Sequence, residues 1–225
     1  MLLNLSGVLG PEDLAAARDL VATLSWRDGA ETAGAVAKQV KRNLQADLSS
    51  RTGLKLREKL LEKIRAHPVL RAAAQPKRFS KLLISKTETG GGYGFHVDNA
   101  FMGVGEDRMR TDLSFTLFLS EPETYEGGEL EIDLPDMTRS IKLPAGDMVL
   151  YPSTSLHQVA PVTSGARIVC VGWIETRVPD TAVREILFDL ENLRASLGGR
   201  FDAQSPEMLT LAKSISNLMR RFGES

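Results

Sequence analysis

Between Gln75-Pro76 and Thr176 the chain leaves helical spacing for short alternating runs of apolar and polar residues, each closed by Gly, Pro or Asp. A repeat of two is the strand period, and breakers at this frequency forbid long elements. Residues 79–85, 93–98, 113–119, 130–133, 140–143, 147–151, 158–162 and 167–176 each read as a strand. Many short strands at regular spacing make a sandwich or jelly roll, and the expected core is a double-stranded β-helix.

Helical spacing flanks this core on both sides. Gly10-Pro11-Glu12-Asp13 is a helix start, with Pro in the first turn and acids at the positive end of the helix dipole. Leu14, Ala17, Val21 and Leu24 mark its apolar face, and the helix is expected to end near Trp26. Leu56, Leu60, Ile64 and Leu70 predict one helix over residues 53–74, and two more fall at 181–196 and 205–222. The expected class is therefore α+β. Its divisions are a mainly helical region at 1–77 packing on the core, the jelly roll at 78–177 and a helical extension at 178–225. The last helices are expected to cover the sheet, with a homo-oligomer contact as their other use.

With 225 residues and 42% hydrophobic content the chain can bury a full core. A net charge of −1 gives no general attraction to phosphates, which argues against a nucleic-acid partner. Lys38, Lys41 and Arg42 read as a solvated face or as groups near the mouth of a site. The single cysteine, Cys170, lies in an apolar strand and reads as a core residue. Met1 to Leu5 is apolar but lacks a basic leader and is soon broken by Gly7 and Gly10-Pro11; no run approaches membrane-spanning length. A cytoplasmic setting is the expectation.

Two of the three histidines stand where a strand would present them. If residues 93–98 are extended, His96 and Asp98 project from one face, and His157 adds a second imidazole. Two imidazoles and a carboxylate on one face of a metal leave the opposite positions open, the arrangement of non-haem Fe(II) oxygenases. A zinc site or a hydrogen-bonded His-x-Asp pair is the competing use of the same residues. Arg167 follows His157 by ten positions, and a hairpin over residues 159–165 would return it beside His157 to clamp an anion. His67, before Pro68, has no ligand-type partner at useful spacing and reads as structural.

The runs Gly90-Gly91-Gly92-Tyr93-Gly94-Phe95-His96-Val97-Asp98-Asn99, Arg110-Thr111-Asp112-Leu113-Ser114, Tyr125-Glu126-Gly127-Gly128-Glu129-Leu130, Leu143-Pro144-Ala145-Gly146-Asp147 and Tyr151 to His157 resemble those of the bacterial PKHD-type hydroxylases. These are Fe(II)/2-oxoglutarate-dependent dioxygenases related to prolyl 4-hydroxylases. The resemblance covers nearly the whole chain. It implies Fe(II) held by His96, Asp98 and His157, and 2-oxoglutarate with its distal carboxylate on Arg167. It also implies O₂ as oxidant, succinate and CO₂ as products, and L-ascorbate as a supporting reductant. The implied substrate is a peptidyl prolyl or lysyl side chain, with a free small molecule as the alternative.

Tyr93 is expected to line the pocket, Ser114 or Thr116 to reach the co-substrate, Asn99 to cap a turn and Trp173 to be core or pocket wall. Residues 99–110 would form a lid. The family commonly carries a tyrosine nine positions before the first metal histidine, where this chain has Thr87. A non-oxygenase cupin-like barrel or zinc hydrolase would share the metal residues but have no use for Arg167.

Overall fold

A computed structural model describes residues 1–32 and 39–224, so Lys38 lies outside the described residues. The chain opens with β1 (Leu3–Leu5), α1 (Pro11–Ala22), β2 (Trp26–Asp28), β3 (Lys41–Arg42), β4 (Leu44–Ala46), α2 (Arg51–Ala66) and α3 (Pro68–Ala74). Helix α1 stops at Ala22, short of the expected end. The Thr23 hydroxyl donates to the Leu20 carbonyl at 2.8 Å, and Trp26 pairs with Ala46 instead of extending the helix. The helix expected over 53–74 is two helices. His67 sits at φ −65° and ψ 119°, because the Pro68 ring excludes the helical conformation from the residue before it. His67 then caps α3, its Nδ1 accepting from the Leu70 amide at 3.4 Å.

The strands that follow are β5 (Pro76–Phe79), β6 (Leu83–Glu88), β7 (Gly92–His96), β8 (Phe101–Met102), β9 (Met109–Arg110), β10 (Leu113–Phe118), β11 (Tyr125–Gly127), β12 (Leu130–Asp133), β13 (Thr138–Ile141), β14 (Met148–Pro152), β15 (His157–Val159) and β16 (Val162–Thr176). The run expected as one strand at 79–85 is divided between β5 and β6. The larger sheet has the order β1-β14-β10-β16-β6-β4-β2, with β5 and β11 also pairing on β16. The smaller sheet runs β13-β12-β15-β7-β3. Strands β1 to β4, from the first 77 residues, thus take places in both sheets.

Alternation gives each face of the larger sheet its task. Ile84, Phe115, Leu117, Leu150, Cys170 and Ile174 pack beneath Leu56, Leu60 and Ile64 of α2, which are at most 1% exposed. Burying an aliphatic side chain of this size contributes roughly 1.5–3 kcal/mol, so this layer anchors the sheet. The opposite face carries Thr87, Ser114, Thr116, Arg167, Val169 and Val171 and looks toward the smaller sheet. Phe118, Leu130, Ile132, Val149, Tyr151 and Val169 fill the gap between the sheets and complete a jelly roll.

Residues 159–165 do not form the expected hairpin. Strand β15 pairs with β12 and β7, whereas β16 belongs to the larger sheet, and Ala160-Pro161 carries the chain across. Pro161 has no amide hydrogen to continue a ladder. His157 and Arg167 therefore approach the same gap from opposing sheets.

Helices α4 (Thr181–Leu197) and α5 (Pro206–Phe222) start at the side-chain caps of Asp180 and Ser205. They pack on each other around Leu187 and Ile215, and α4 lies against α3. The sheet face they were expected to cover is already occupied by the N-terminal helices.

Candidate active site

His96 and His157 stand directly opposite each other on β7 and β15, while Val159 pairs with Tyr93. Three residues on one strand thus span two on the other, which makes a bulge at Gly94-Phe95. A regular strand would send Tyr93 and His96 to opposite faces; the bulge turns both inward, where their rings stack with centroids 3.6 Å apart. The Nδ1 of His96 lies 2.8 Å from the Gly94 carbonyl, and that of His157 lies 3.0 Å from the Ser155 carbonyl. A carbonyl only accepts, so each Nδ1 donates and each Nε2 keeps its lone pair.

Asp98 arrives differently from the sequence expectation. Strand β7 ends at His96, and the period of two does not carry Asp98. Its carboxylate is placed by Ser114, whose hydroxyl donates to Oδ2 at 2.6 Å and lies 2.7 Å from Ser153 Oγ. The Nε2 of His157 is 3.8 Å from that carboxylate oxygen, and one ligand atom from each of His96, Asp98 and His157 fits within 4.8 Å. Burial, reinforced by the neighbouring His157, lowers the His96 pKa to about 4 against the Gly94 and Asp98 contributions. The imidazole is thereby kept in the neutral form that a metal needs.

Across the cavity, Arg167 is 2% exposed and makes no ion pair among the described residues. Its Nε has no hydrogen-bond partner, and its guanidinium carbon lies 5.5 Å from the centroid of the Phe118 ring. Burial lowers its pKa, opposed chiefly by Tyr125 and Tyr151. A buried cation without a carboxylate in contact is costly, and this one suits an anionic ligand. The histidines, Asp98 and Arg167 all line one cavity of about 120 Å³. Two-nitrogen, one-carboxylate donors suit Fe(II), and the buried guanidinium with its free Nε suits the far carboxylate of a dicarboxylate; the residues fit both groups.

Other expectations resolve here. Thr87 sits directly across from Arg167 in the β6–β16 ladder and is 2% exposed. Thr116 lines the cavity, whereas Ser114 is engaged by Asp98. Trp173 forms cavity wall, and Asn99, whose carbonyl accepts from the Thr111 hydroxyl, lines it too. Lys41 and Asn43 do reach the site: Lys41 Nζ lies 5.2 Å over the Tyr93 ring. Burial lowers the Lys41 pKa to about 8, against Asp28 and Asp98. The expected lid at 99–110 is a β8–β9 hairpin whose Met102 borders the cavity. Cys170 is buried, and desolvation pushes its thiol pKa up, as a core residue requires. Ser153, Tyr125 and Tyr151 were not singled out from sequence as site residues, because strand pairing alone brings them here. Their only local signals are the Tyr-Pro-Ser flank of His157 and the Tyr-Glu-Gly-Gly turn.

Jelly roll and site together define an Fe(II)- and 2-oxoglutarate-dependent dioxygenase, and residues 82–175 match the 2OG-Fe(II) oxygenase superfamily. Within that class the chain belongs to the PKHD-type hydroxylases: it is 56% identical over 220 residues to the PKHD-type hydroxylase of Hyphomonas neptunium, covering 98% of each chain. Among solved structures, a Pseudomonas putida prolyl-4-hydroxylase superposes with a TM-score of 0.52 at 19% identity, over 78% of this chain and 92% of that one. A Trichoplax adhaerens prolyl hydroxylase, in complex with a peptide fragment of hypoxia inducible factor, gives 0.53 at 13% identity, over 77% and 83%. These two likenesses concern the fold. Among the described residues no helix is long and apolar enough to cross a membrane.

Proposed function

We propose that this dioxygenase hydroxylates an unactivated C–H bond of a peptidyl prolyl or lysyl side chain. His96, Asp98 and His157 are assigned as the Fe(II) ligands, Arg167 as the clamp for 2-oxoglutarate, and Tyr93 as a wall of the co-substrate pocket. The observation that carries the assignment is the buried guanidinium, its Nε unsatisfied and no carboxylate in ion-pair contact with it among the described residues, lining the same cavity as the three ligands. A cavity that opens to solvent supports a polypeptide substrate: Val97, between two of the ligands, lines it and is 56% exposed. The peptide bound by the Trichoplax adhaerens enzyme supports the same substrate class.

Fe(II) with 2-oxoglutarate supplies the O₂ activation of the class, with succinate and CO₂ as by-products. The protein's part is to hold and shield. The two carbonyl-anchored imidazoles would hold the metal through Nε2, and the Ser114 hydroxyl fixes Asp98. Arg167 would orient the co-substrate by its far end, and Val169 and Val171 add apolar lining to the same cavity.

The test pairs co-substrate binding with a substrate search. Anaerobic Fe(II) protein titrated with 2-oxoglutarate should develop a visible charge-transfer band. Arg167→Lys, which keeps the charge and loses the planar fork, should weaken 2-oxoglutarate roughly tenfold or more with iron retained. Peptides containing proline or lysine should then gain one oxygen atom with matching succinate release. Unaltered 2-oxoglutarate affinity in Arg167→Lys would overturn the clamp. Oxygen transfer confined to free small molecules would overturn the peptide substrate.

A further inference from the structure

The segment that follows Asp98 leaves both sheets. Among the described residues, β8 and β9 pair only with each other, Phe101 with Arg110 and Met102 with Met109. Two residue pairs do not make a stable hairpin by themselves. Packing adds little, since of residues 99–110 only Met109 is buried, while Phe101 and Val104 stand exposed. Another group has to hold this segment in place.

At its base the hairpin is tied twice. The Thr111 amide donates to the Ala100 carbonyl at 3.0 Å, and the Arg110 guanidinium pairs with Asp112 and Glu224. Its outer turn is reached from outside by one hydrogen-bonding side chain among the described residues, Arg78. Arg78 lies on β5 directly opposite Glu175 of β16. Its Nε and Nη2 donate to Glu175 Oε2 at 2.8 and 2.6 Å. Nη2 also donates to the Arg108 carbonyl at 2.9 Å, and Nη1 reaches the Glu106 carbonyl at 3.5 Å. Glu175 is buried, so a fixed carboxylate braces the guanidinium and aims its remaining donors at the hairpin backbone.

The place of the hairpin matters to the site. Met102 lines the active-site cavity and also borders a second cavity of about 370 Å³. That second cavity lies between the hairpin, at Val104 and Met109, and the β5–β6 connection, at Ser80 and Lys81. Open space on this side lets the hairpin swing away from the metal-ligand residues unless a tether holds it.

We infer that Arg78 is a positioning residue for the oxygenase site. Braced by Glu175, it holds the β8–β9 hairpin by its carbonyls, keeps Met102 in the cavity wall and so sets how fast the metal site exchanges with solvent. The inference rests on the ligand assignment above for the access it describes, and on none of it for the tether.

Two variants separate the tether from the ion pair. Arg78→Lys keeps a charge opposite Glu175 and loses the fork, whereas Arg78→Met loses both. Hydrogen exchange of the metal-free full chain, read by mass spectrometry, should reveal the release. In both variants residues 101–110 should exchange roughly three- to thirtyfold faster, with β6, β10 and α2 unchanged. That range lies below the full effect of a hydrogen bond to a charged group, because the Arg78 side chain is 42% exposed. Arg78→Lys should melt close to the wild type, since its ion pair survives. A purely structural ion pair therefore predicts wild-type exchange in that variant, and Arg78→Lys carries the test if Arg78→Met does not fold.

The second measurement follows anaerobic capture of Fe(II) from the loaded chain by a chromophoric chelator. A wall that opens speeds metal entry and exit together, so capture should quicken severalfold with the equilibrium affinity unchanged. Wild-type exchange across residues 101–110 in Arg78→Lys would overturn the inference, as would a loss of metal affinity equal to the gain in capture rate. A wild-type chain that takes up no metal would sink the ligand assignment instead, and the exchange experiment, which needs no metal, would still decide on Arg78.

Discussion

Ser114→Ala tests how Asp98 is held away from the strand that was expected to carry it. The Ser114 hydroxyl has a single hydrogen, directed to Asp98 Oδ2 at 2.6 Å, so Ser153, at 2.7 Å, donates to Ser114 in turn. Both serines are at most 3% exposed, and water does not compete for these bonds. A hydrogen bond to a charged acceptor contributes about 1.5–3 kcal/mol, and loss of a group that orients a metal ligand weakens binding roughly 10–100-fold. Ser114→Ala is therefore expected to weaken Fe(II) or Co(II) binding by about that factor. Ser153→Ala removes a neutral link of about 0.5–1.5 kcal/mol and should cost roughly tenfold or less. The double variant should bind metal no worse than Ser114→Ala, since Ser153 reaches Asp98 only through Ser114. Competition with a chromophoric chelator measures each constant, with thermal melting as a check on folding. Wild-type metal affinity in Ser114→Ala, or a larger loss in Ser153→Ala, would refute the serine relay.

Two further outcomes follow from the same geometry. In the metal-free protein, His96 has its pKa lowered from 6.5 to about 4, so between these values the unfolded chain binds a proton that the folded one does not. Stability should rise with pH across that window and fall on acidification, and His96→Asn should flatten this component of the denaturation midpoint against pH; an unchanged slope would contradict the assignment. Gly128→Ala combines a left-handed backbone at φ +70° with Cβ contacts of 2.9 Å to Val162 Cγ2 and 3.1 Å to Arg167 Cδ. Strain of about 1–2 kcal/mol and overpacking of about 1–3 kcal/mol should lower the urea midpoint and loosen 2-oxoglutarate binding together. A variant as stable as wild type would show that the turn can relax.

Much of the architecture was legible because its signals are local. The strand period between Pro76 and Thr176, the Pro11 and Pro206 helix starts and the apolar face of α2 depend on near neighbours in sequence. Boundaries failed where a longer-range partner decided them. Trp26 left its helix to pair with Ala46, and the helix expected through His67 was broken by a proline whose steric effect reaches one residue back. Residue type marks the candidate ligands, but their geometry departs from the local pattern in two places. Asp98 is off the strand, and no hairpin joins His157 to Arg167.

Sequence by itself determined which chemistry was present: two imidazoles, a carboxylate and an arginine among short strands, and the family motifs that contain them. Those are properties of side chains and of local backbone preference, which survive without knowledge of the partners. Tertiary structure alone decided which sheet each strand joined, where the bulge turned Tyr93 and His96 to the same side, and that Arg167 was buried with its Nε unsatisfied. Strand pairing is a contest among distant segments, and a buried group's satisfaction depends on every neighbour that the winning arrangement brings to it.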